Sequence, residues 1–445
     1  MIRLVFSDLR DHAVAWIGAF AIAMACGYIG GWAASLVATG QRYPNFADLA
    51  WIVLVFSAIA AVAVLVSAAN LTVSLQRRSY ALWQLANVSP RRVGAVVLAQ
   101  LAVVAVLGAA AGTLAEAATF EPLFPLVFSS PFYQPIDQVV LDVGLPCMPV
   151  VWLVVAGVFL LGGLKGARSA GRTSPMAALR MAEPPRKGMT PLRLLLFAGL
   201  AFGTCQLAVF MTESGPEAGW DNSMYIPLLM VAMLVPVAPV VFSAVLGAWT
   251  ALVPQGRWDA WYLARRMARY GLSASTSVET PLMVGFGLVA GIFSLSNVLE
   301  VYARQQGMTG TSVSLDFTST ILLLGGPVLL CAAGAAVSVV MSSRTRTRDV
   351  SLLIASGARP RTLMAAAVCE ALVHAITATL VGAAAVIVST IIVANAVGLP
   401  PFGYLAFGEG LVVSLAGFAL VLVATLVPTW SALNKEAATV LSVQE

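Results

Sequence analysis

The stretch "LQRRSYALWQLANVSPRRV", Leu75 to Val93, places four arginines between two long apolar runs. A second stretch, "RTRDVSLLIASGARPRTL", Arg346 to Leu363, repeats its pattern. At an offset of 270 positions Arg348 falls on Arg78, Leu352 on Leu82, Pro360 on Pro90 and Arg361 on Arg91. Each stretch reads as a short amphipathic helix, a tight turn and the start of a long apolar helix. Proline suits the first turn of a helix, where its missing N–H costs nothing. Asn87 and Gly357, each three residues before that proline, suit the left-handed cap that ends the preceding helix. Tyr80, Trp83 and Val88 give the first hinge an apolar side, and Arg77, Arg78, Arg91 and Arg92 sit at its ends.

The surroundings of the hinges fix the broad class. Of 445 residues, 60% are hydrophobic and 10% are charged, and the mean hydropathy is +0.90. A soluble chain carries about 25% charged residues, so this composition is that of an integral membrane protein. The net charge of +5 has no basic patch with interleaved aromatics behind it, which excludes nucleic acid as a partner. The five cysteines (Cys26, Cys147, Cys205, Cys331 and Cys369) lie in or beside apolar runs without metal or disulfide spacing, and are read as packing residues.

A membrane-spanning helix needs about 20 apolar residues. Ten runs qualify: 13–38, 49–74, 93–115, 146–164, 192–212, 225–252, 277–299, 317–342, 363–394 and 410–431. Alternating the chain across the bilayer puts 23 of the 25 lysines and arginines on one side, leaving Arg42 and Arg304 on the other. The positive-inside rule then places both termini in the cytoplasm. The N-terminal segment "MIRLVFSDLRDHAVAW" lacks a small-residue cleavage site and is read as a retained amphipathic surface helix built on Ile2, Val5 and Leu9. The outer loops are short and acidic; 117–145 is the longest expected, and Glu116 and Glu300 are expected to face water at outer helix ends.

The repeat extends beyond the hinges. Gln100 falls on Glu370 and Gly112 on Gly382 at the same offset. "TSPMAALR" (Thr173–Arg180) matches "KEAATVLS" (Lys435–Ser442), and "LVFSDLR" (Leu4–Arg10) matches "LARRMAR" (Leu263–Arg269), at an offset near 260. The fold expected is all-α: two parallel four-helix repeats joined by two further helices, in a 4+2+4 order with a pseudo-twofold axis along the membrane normal. The corresponding boundaries are 1–185, 186–255 and 256–445.

The spacing of arginine, leucine and Pro-Arg at 78–91 and 348–361 resembles the FtsX-like permease domain, as do "LLIASGARPRTLM" and the closing "SPMAALR". Two such units in one chain are similar to ABC transporter permeases of the macrolide- and bacitracin-exporter type. Bacitracin exporters carry a large extracellular domain between the seventh and eighth helices, where this chain has about 17 residues, 300–316. The resemblance implies a permease that is not itself an enzyme and works with two copies of an ABC ATPase, which would hold ATP and Mg. The chain has no G-x-x-x-x-G-K-[ST] and needs no cofactor of its own on this reading. The hinge residues Arg78, Leu82, Leu85, Pro90, Arg91, Arg348, Leu352, Gly357, Pro360 and Arg361 would couple it to the ATPases. The substrate expected is an amphiphile such as an antimicrobial peptide, a drug or a lipid-like molecule, exported or extracted at a bacterial cytoplasmic membrane.

Polar groups within the spans mark the other candidates. Glu370 and His374 stand four apart on one helix face, and Gln100 is the repeat-equivalent of Glu370. They read either as interhelical hydrogen-bonding glue or as a substrate or proton site; Asn70 and Asn297 read as glue. With two histidines and no H-E-x-x-H, no metal site is expected. Two other functions stay open: a proton-coupled secondary transporter using Glu370 and His374, and a signalling or scaffold protein that moves no substrate.

Overall fold

The computed structural model describes residue 9 and residues 13–130, 136–172, 189–254, 258–270, 272–307 and 315–434. The N-terminal surface helix, the closing segments 173–180 and 435–442, and all of the opening segment but Leu9 lie outside them. The described residues contain α-helices and short 3-10 and π turns, and no strand. Ten helices among them are long and apolar enough to cross a membrane. Each coincides with one of the ten apolar runs, because a run of that length in lipid can satisfy its backbone only by closing it into a helix.

In chain order the helices are α1 (Ala13–Gly40), α2 (Pro44–Leu75), α3 (Arg77–Leu85), α4 (Pro90–Val127), α5 (Met148–Arg172), α6 (Pro191–Glu213) and α7 (Pro216–Asn222). They continue with α8 (Tyr225–Ala251), α9 (Asp259–Tyr270), α10 (Leu272–Gln305), α11 (Phe317–Thr320), α12 (Gly326–Ala355), α13 (Pro360–Ala396) and α14 (Phe407–Leu433). A single π turn, Ile321–Gly325, joins α11 to α12. The chain divides into two compact units. One comprises 1–185 with 316–341, and the other 186–315 with 342–445.

In the first unit α1 packs against α2 and α4, and α5 closes the group against α2 and α4. Gly112 makes the α1–α4 approach possible, since a Cβ there would stand 2.0 Å from the Met24 carbonyl oxygen. The largest departure from the apolar pattern is at the end of α4, which runs twelve residues past the expected 115. The segment "TFEPLFPLVF", which holds Pro122 and Pro125, falls within the loop expected at 117–145. Instead Phe120, Phe124 and Phe128 recur at one turn's spacing and bury against Trp32 and Phe46. Phe124 and Phe128 stack with centroids 4.4 Å apart. That aromatic burial outweighs the two backbone hydrogen bonds the prolines remove.

In the second unit α13 is central. It packs against α8, α9, α10 and α14. At 37 residues it is about 55 Å long, well beyond the ~30 Å of a bilayer's hydrocarbon core. α10 is buried for most of its length, whereas α6 buries only Thr204 and Met211. Asn297 of α10 donates to the Tyr404 carbonyl in the α13–α14 turn, at 3.2 Å. Asn70 does not join helices: its Nδ2 donates to Val66 O of its own helix at 2.7 Å. No disulfide joins any of the five cysteines.

Candidate functional sites: two hinges and a buried carboxylate–imidazole cluster

Both hinges adopt the same turn. Asn87 has φ 66° and Gly357 φ 92°, and Asn87 is the one described non-glycine residue with positive φ. In the first hinge Val88 N donates to Trp83 O and Asn87 N to Gln84 O, each at 3.0 Å. In the second, Ala358 N donates to Leu353 O and Gly357 N to Ile354 O, each at 2.9 Å. These are the paired bonds of a Schellman motif, which satisfy the last carbonyls of the helix. Pro90 and Pro360 then open α4 and α13 at the first position.

Burial also repeats. From Ala81 to Pro90 and from Ser351 to Pro360, the order of buried, half-buried and exposed residues is identical. Tyr80 and Val350 anchor the two hinges, fully buried. Leu82 is 50% exposed and Leu352 47%, with Leu85 also exposed. Arg91 and Arg361 are exposed beside their prolines. Arg78 and Arg348 lie on helical backbone, and their side chains fall outside the described set.

The hinges differ in how they are entered. Gln76 interrupts the first, separating α2 from α3, and the Tyr80 hydroxyl donates to the Gln76 side-chain oxygen. In the second, α12 runs unbroken from the span to Ala355. The expected short helix is therefore separate only in the first. The second hinge's inner face, Val350, Leu353, Ile354 and Ala358, packs on Leu263 of α9, Leu363 of α13 and Ala432 of α14.

Glu370 and His374 do share a face of α13, and a third residue joins them. Nδ1 of His374 is 2.8 Å from Oε1 of Glu279 on α10, and Nε2 is 3.8 Å from Oε1 of Glu370. All three side chains are buried. With Glu279 ionised, Nδ1–H donates to it. The 3.8 Å contact is an ion-pair distance, too long for a hydrogen bond. Trp249 Nε1 donates to Thr377 Oγ1 at 3.0 Å one turn further along α13 and stacks edge-on against Trp261, which closes that flank. An imidazole between two carboxylates can bind and release a proton.

Glu279 was missed among the candidates read from the sequence; its signal was an ionisable side chain third in the apolar run 277–299, where such a group is costly. Its pairing with His374, 95 positions away, left no mark in the sequence. Gln100 is fully buried in α4 of the first unit.

Glu116 corrects an expectation. It does not face water: it is fully buried, and Ser35 Oγ donates to its Oε1 at 2.9 Å. Ser35 Oγ in turn accepts from Gly144 N at 3.3 Å. Gly31 leaves the space, since a Cβ there would stand 2.8 Å from Glu116 Oε2. Glu300 lies near the end of α10, half-exposed and paired with Arg304.

The second hinge, α13 and α14 lie within residues 321–437, which match the family described as FtsX-like permease C-terminal. The chain is similar to FtsX-like permeases over this stretch. No curated protein and no solved structure matches it. FtsX-like permeases are transport components that generally work with ABC ATPase partners, and ten helices long and apolar enough to cross a membrane, taken with this match, mark the chain as a multi-pass membrane protein.

Proposed function

We propose that the chain is the permease subunit of an ATP-driven transporter in a bacterial cytoplasmic membrane, with both termini inside and two FtsX-like units. Two copies of a separate ABC ATPase would bind ATP and Mg. The observation that carries this reading is the matched pair of hinges. Each has an anchored inner face, an exposed leucine at the equivalent position, and a rigid turn leading directly into a long helix. An ATPase dimer offers two equivalent grooves, and two equivalent hinges answer that symmetry. Motion at either hinge passes into α4 or α13 because the Schellman turn and the first-position proline leave little slack. The substrate is an amphiphile, exported or extracted.

The test is co-purification of the full chain expressed together with its chromosomal neighbours, with ATP hydrolysis measured in the product. Leu82→Asp, Arg91→Glu, Leu352→Asp and Arg361→Glu together alter exposed side chains only, so the permease should stay folded and lose the ATPase. An ATPase that stays bound to this variant, or no ATP-hydrolysing partner under any condition, overturns the reading.

A second reading rests on the Glu279–His374–Glu370 cluster. Proton-coupled transport through it predicts flux that an uncoupler abolishes and that Glu279→Gln and Glu370→Gln remove, with no ATPase required.

A further inference from the structure

The short helix α9 lies where three spans end. Its Leu263 packs with Leu363 in the first turn of α13 and with Ala432 at the close of α14. Nη2 of its Arg269 donates to Gly247 O, one turn before the end of α8, at 3.4 Å. These contacts put α9 at the membrane–water interface. One side of it, Trp261, Ala264, Arg265 and Ala268, is buried. The other side is exposed: Tyr262, Arg266 and Arg269, with Trp258 just ahead of the helix. The Arg266 guanidinium lies over the Tyr262 ring, 5.4 Å from its centroid.

Three positive charges crowd this helix without an anion. None of the ion pairs among the described residues includes Arg265, Arg266 or Arg269. Arg265 is only 7% exposed, and its Nε and Nη1 are buried with no hydrogen-bond partner among the described residues. By helical spacing it stands at the edge of the buried side, next to the stripe formed by Trp258, Tyr262 and Arg269. Burial weakens its hold on its proton, and the charges of Arg269 and Arg266 weaken it further. The sequence repeat does not ask for these charges. Where the opening segments align, Arg10 falls on Arg269, but Phe6 and Ser7 stand where Arg265 and Arg266 do.

We propose that α9 binds the headgroup of an anionic phospholipid. The phosphate meets the exposed guanidiniums of Arg266 and Arg269 and offsets the buried charge of Arg265 beside them. A covered charge without a counter-charge is costly, and an anion close by in a low-dielectric setting compensates it without a direct hydrogen bond. Position favours lipid over a soluble anion: the site lies at the span ends, and Trp258 and Tyr262, 68% and 45% exposed, are the aromatic types that settle at headgroup level. The site is independent of the transport reading and needs no ATPase.

The test is native mass spectrometry of the full chain in mild detergent with equal amounts of phosphatidylglycerol and phosphatidylcholine of the same chain length. The first lipid held by the wild type should be phosphatidylglycerol in preference to phosphatidylcholine. Arg265→Phe, which installs the residue of the aligned segment, should cut that preference about fivefold, the share of one arginine beside an anionic headgroup. Arg266→Gln changes an exposed side chain only and should cut it by a similar factor. Arg42→Gln, an exposed arginine of the α1–α2 turn, should leave it unchanged, as should excess inorganic phosphate. A wild type without the preference, a preference that survives either α9 variant in folded protein, or one that falls as far in Arg42→Gln would overturn the assignment. Displacement of the lipid by inorganic phosphate would also overturn it, and would make this a site for a soluble anion.

Discussion

His374 and Glu279 meet across α13 and α10 at 2.8 Å, ring nitrogen to carboxylate oxygen, both buried. Neither side chain has water to fall back on, so the contact holds the two helices in register as well as offering a proton site.

Removing one partner should therefore cost more than exchanging it. Glu279→Ala is expected to lower stability by about 1–3 kcal/mol, the cost of a buried group left unsatisfied. Glu279→Gln keeps an acceptor for Nδ1–H and should lose about half of that or less. Thermal unfolding in mild detergent, read by size-exclusion fluorescence, compares the two; equal losses would show that the hydrogen bond does not hold the helices.

The hinge turns can be probed through their left-handed residues. A β-branched side chain at either position costs about 1–2 kcal/mol, so Asn87→Val and Gly357→Val should both destabilise. Asn87→Gly should be neutral or stabilising by about 0.5 kcal/mol, because it relieves the positive φ of 66°. Denaturant unfolding midpoints of the three variants check this ordering.

Gly112 and Gly382 occupy matched positions in the repeat but face different neighbours. A Cβ on Gly112 would strike the Met24 backbone at 2.0 Å. On Gly382 it would first meet the Phe286 ring at 2.8 Å, with the nearest backbone atom at 3.3 Å. A ring can turn and a helix backbone cannot, so Gly112→Ala should reach the upper end of the ~1–3 kcal/mol overpacking range and Gly382→Ala the lower. The yield of monodisperse protein from matched expressions should fall further for the first.

Asp316 caps α11, accepting from Ser319 N at 2.8 Å. Partial burial pulls its carboxyl upward, but hydrogen bonds involving Ser130 and Ser319 outweigh it and hold the group below the ordinary carboxylate range. A depressed native pKa means that the stabilisation is present above the unfolded value and is lost as pH falls through the folded one. Asp316→Ala should thus cost up to about 1 kcal/mol near neutral pH, less any solvent screening of this exposed group. The difference from wild type should vanish below the carboxylate range, and melting temperatures across pH 3–7 (about the usual Asp window) would show it.

Some features were written locally. Ten spans followed from run length, because bilayer thickness sets the requirement residue by residue whatever the helices touch. The two hinge turns followed from Asn87, Gly357 and the prolines after them, because positive φ and a fixed proline φ are properties of single residues. The pair Glu370 and His374 followed from helical spacing alone.

Tertiary structure decided the rest. Glu279 reached His374, Glu116 turned inward to Ser35, Phe120 and Phe124 carried α4 past two prolines, and residues 316–341 joined the first unit. These helices are apolar on nearly every side, and lipid is as apolar as they are, so no hydrophobic stripe marks which face meets a neighbour. Packing shape and a few buried hydrogen bonds make that choice, and both depend on residues distant in the chain.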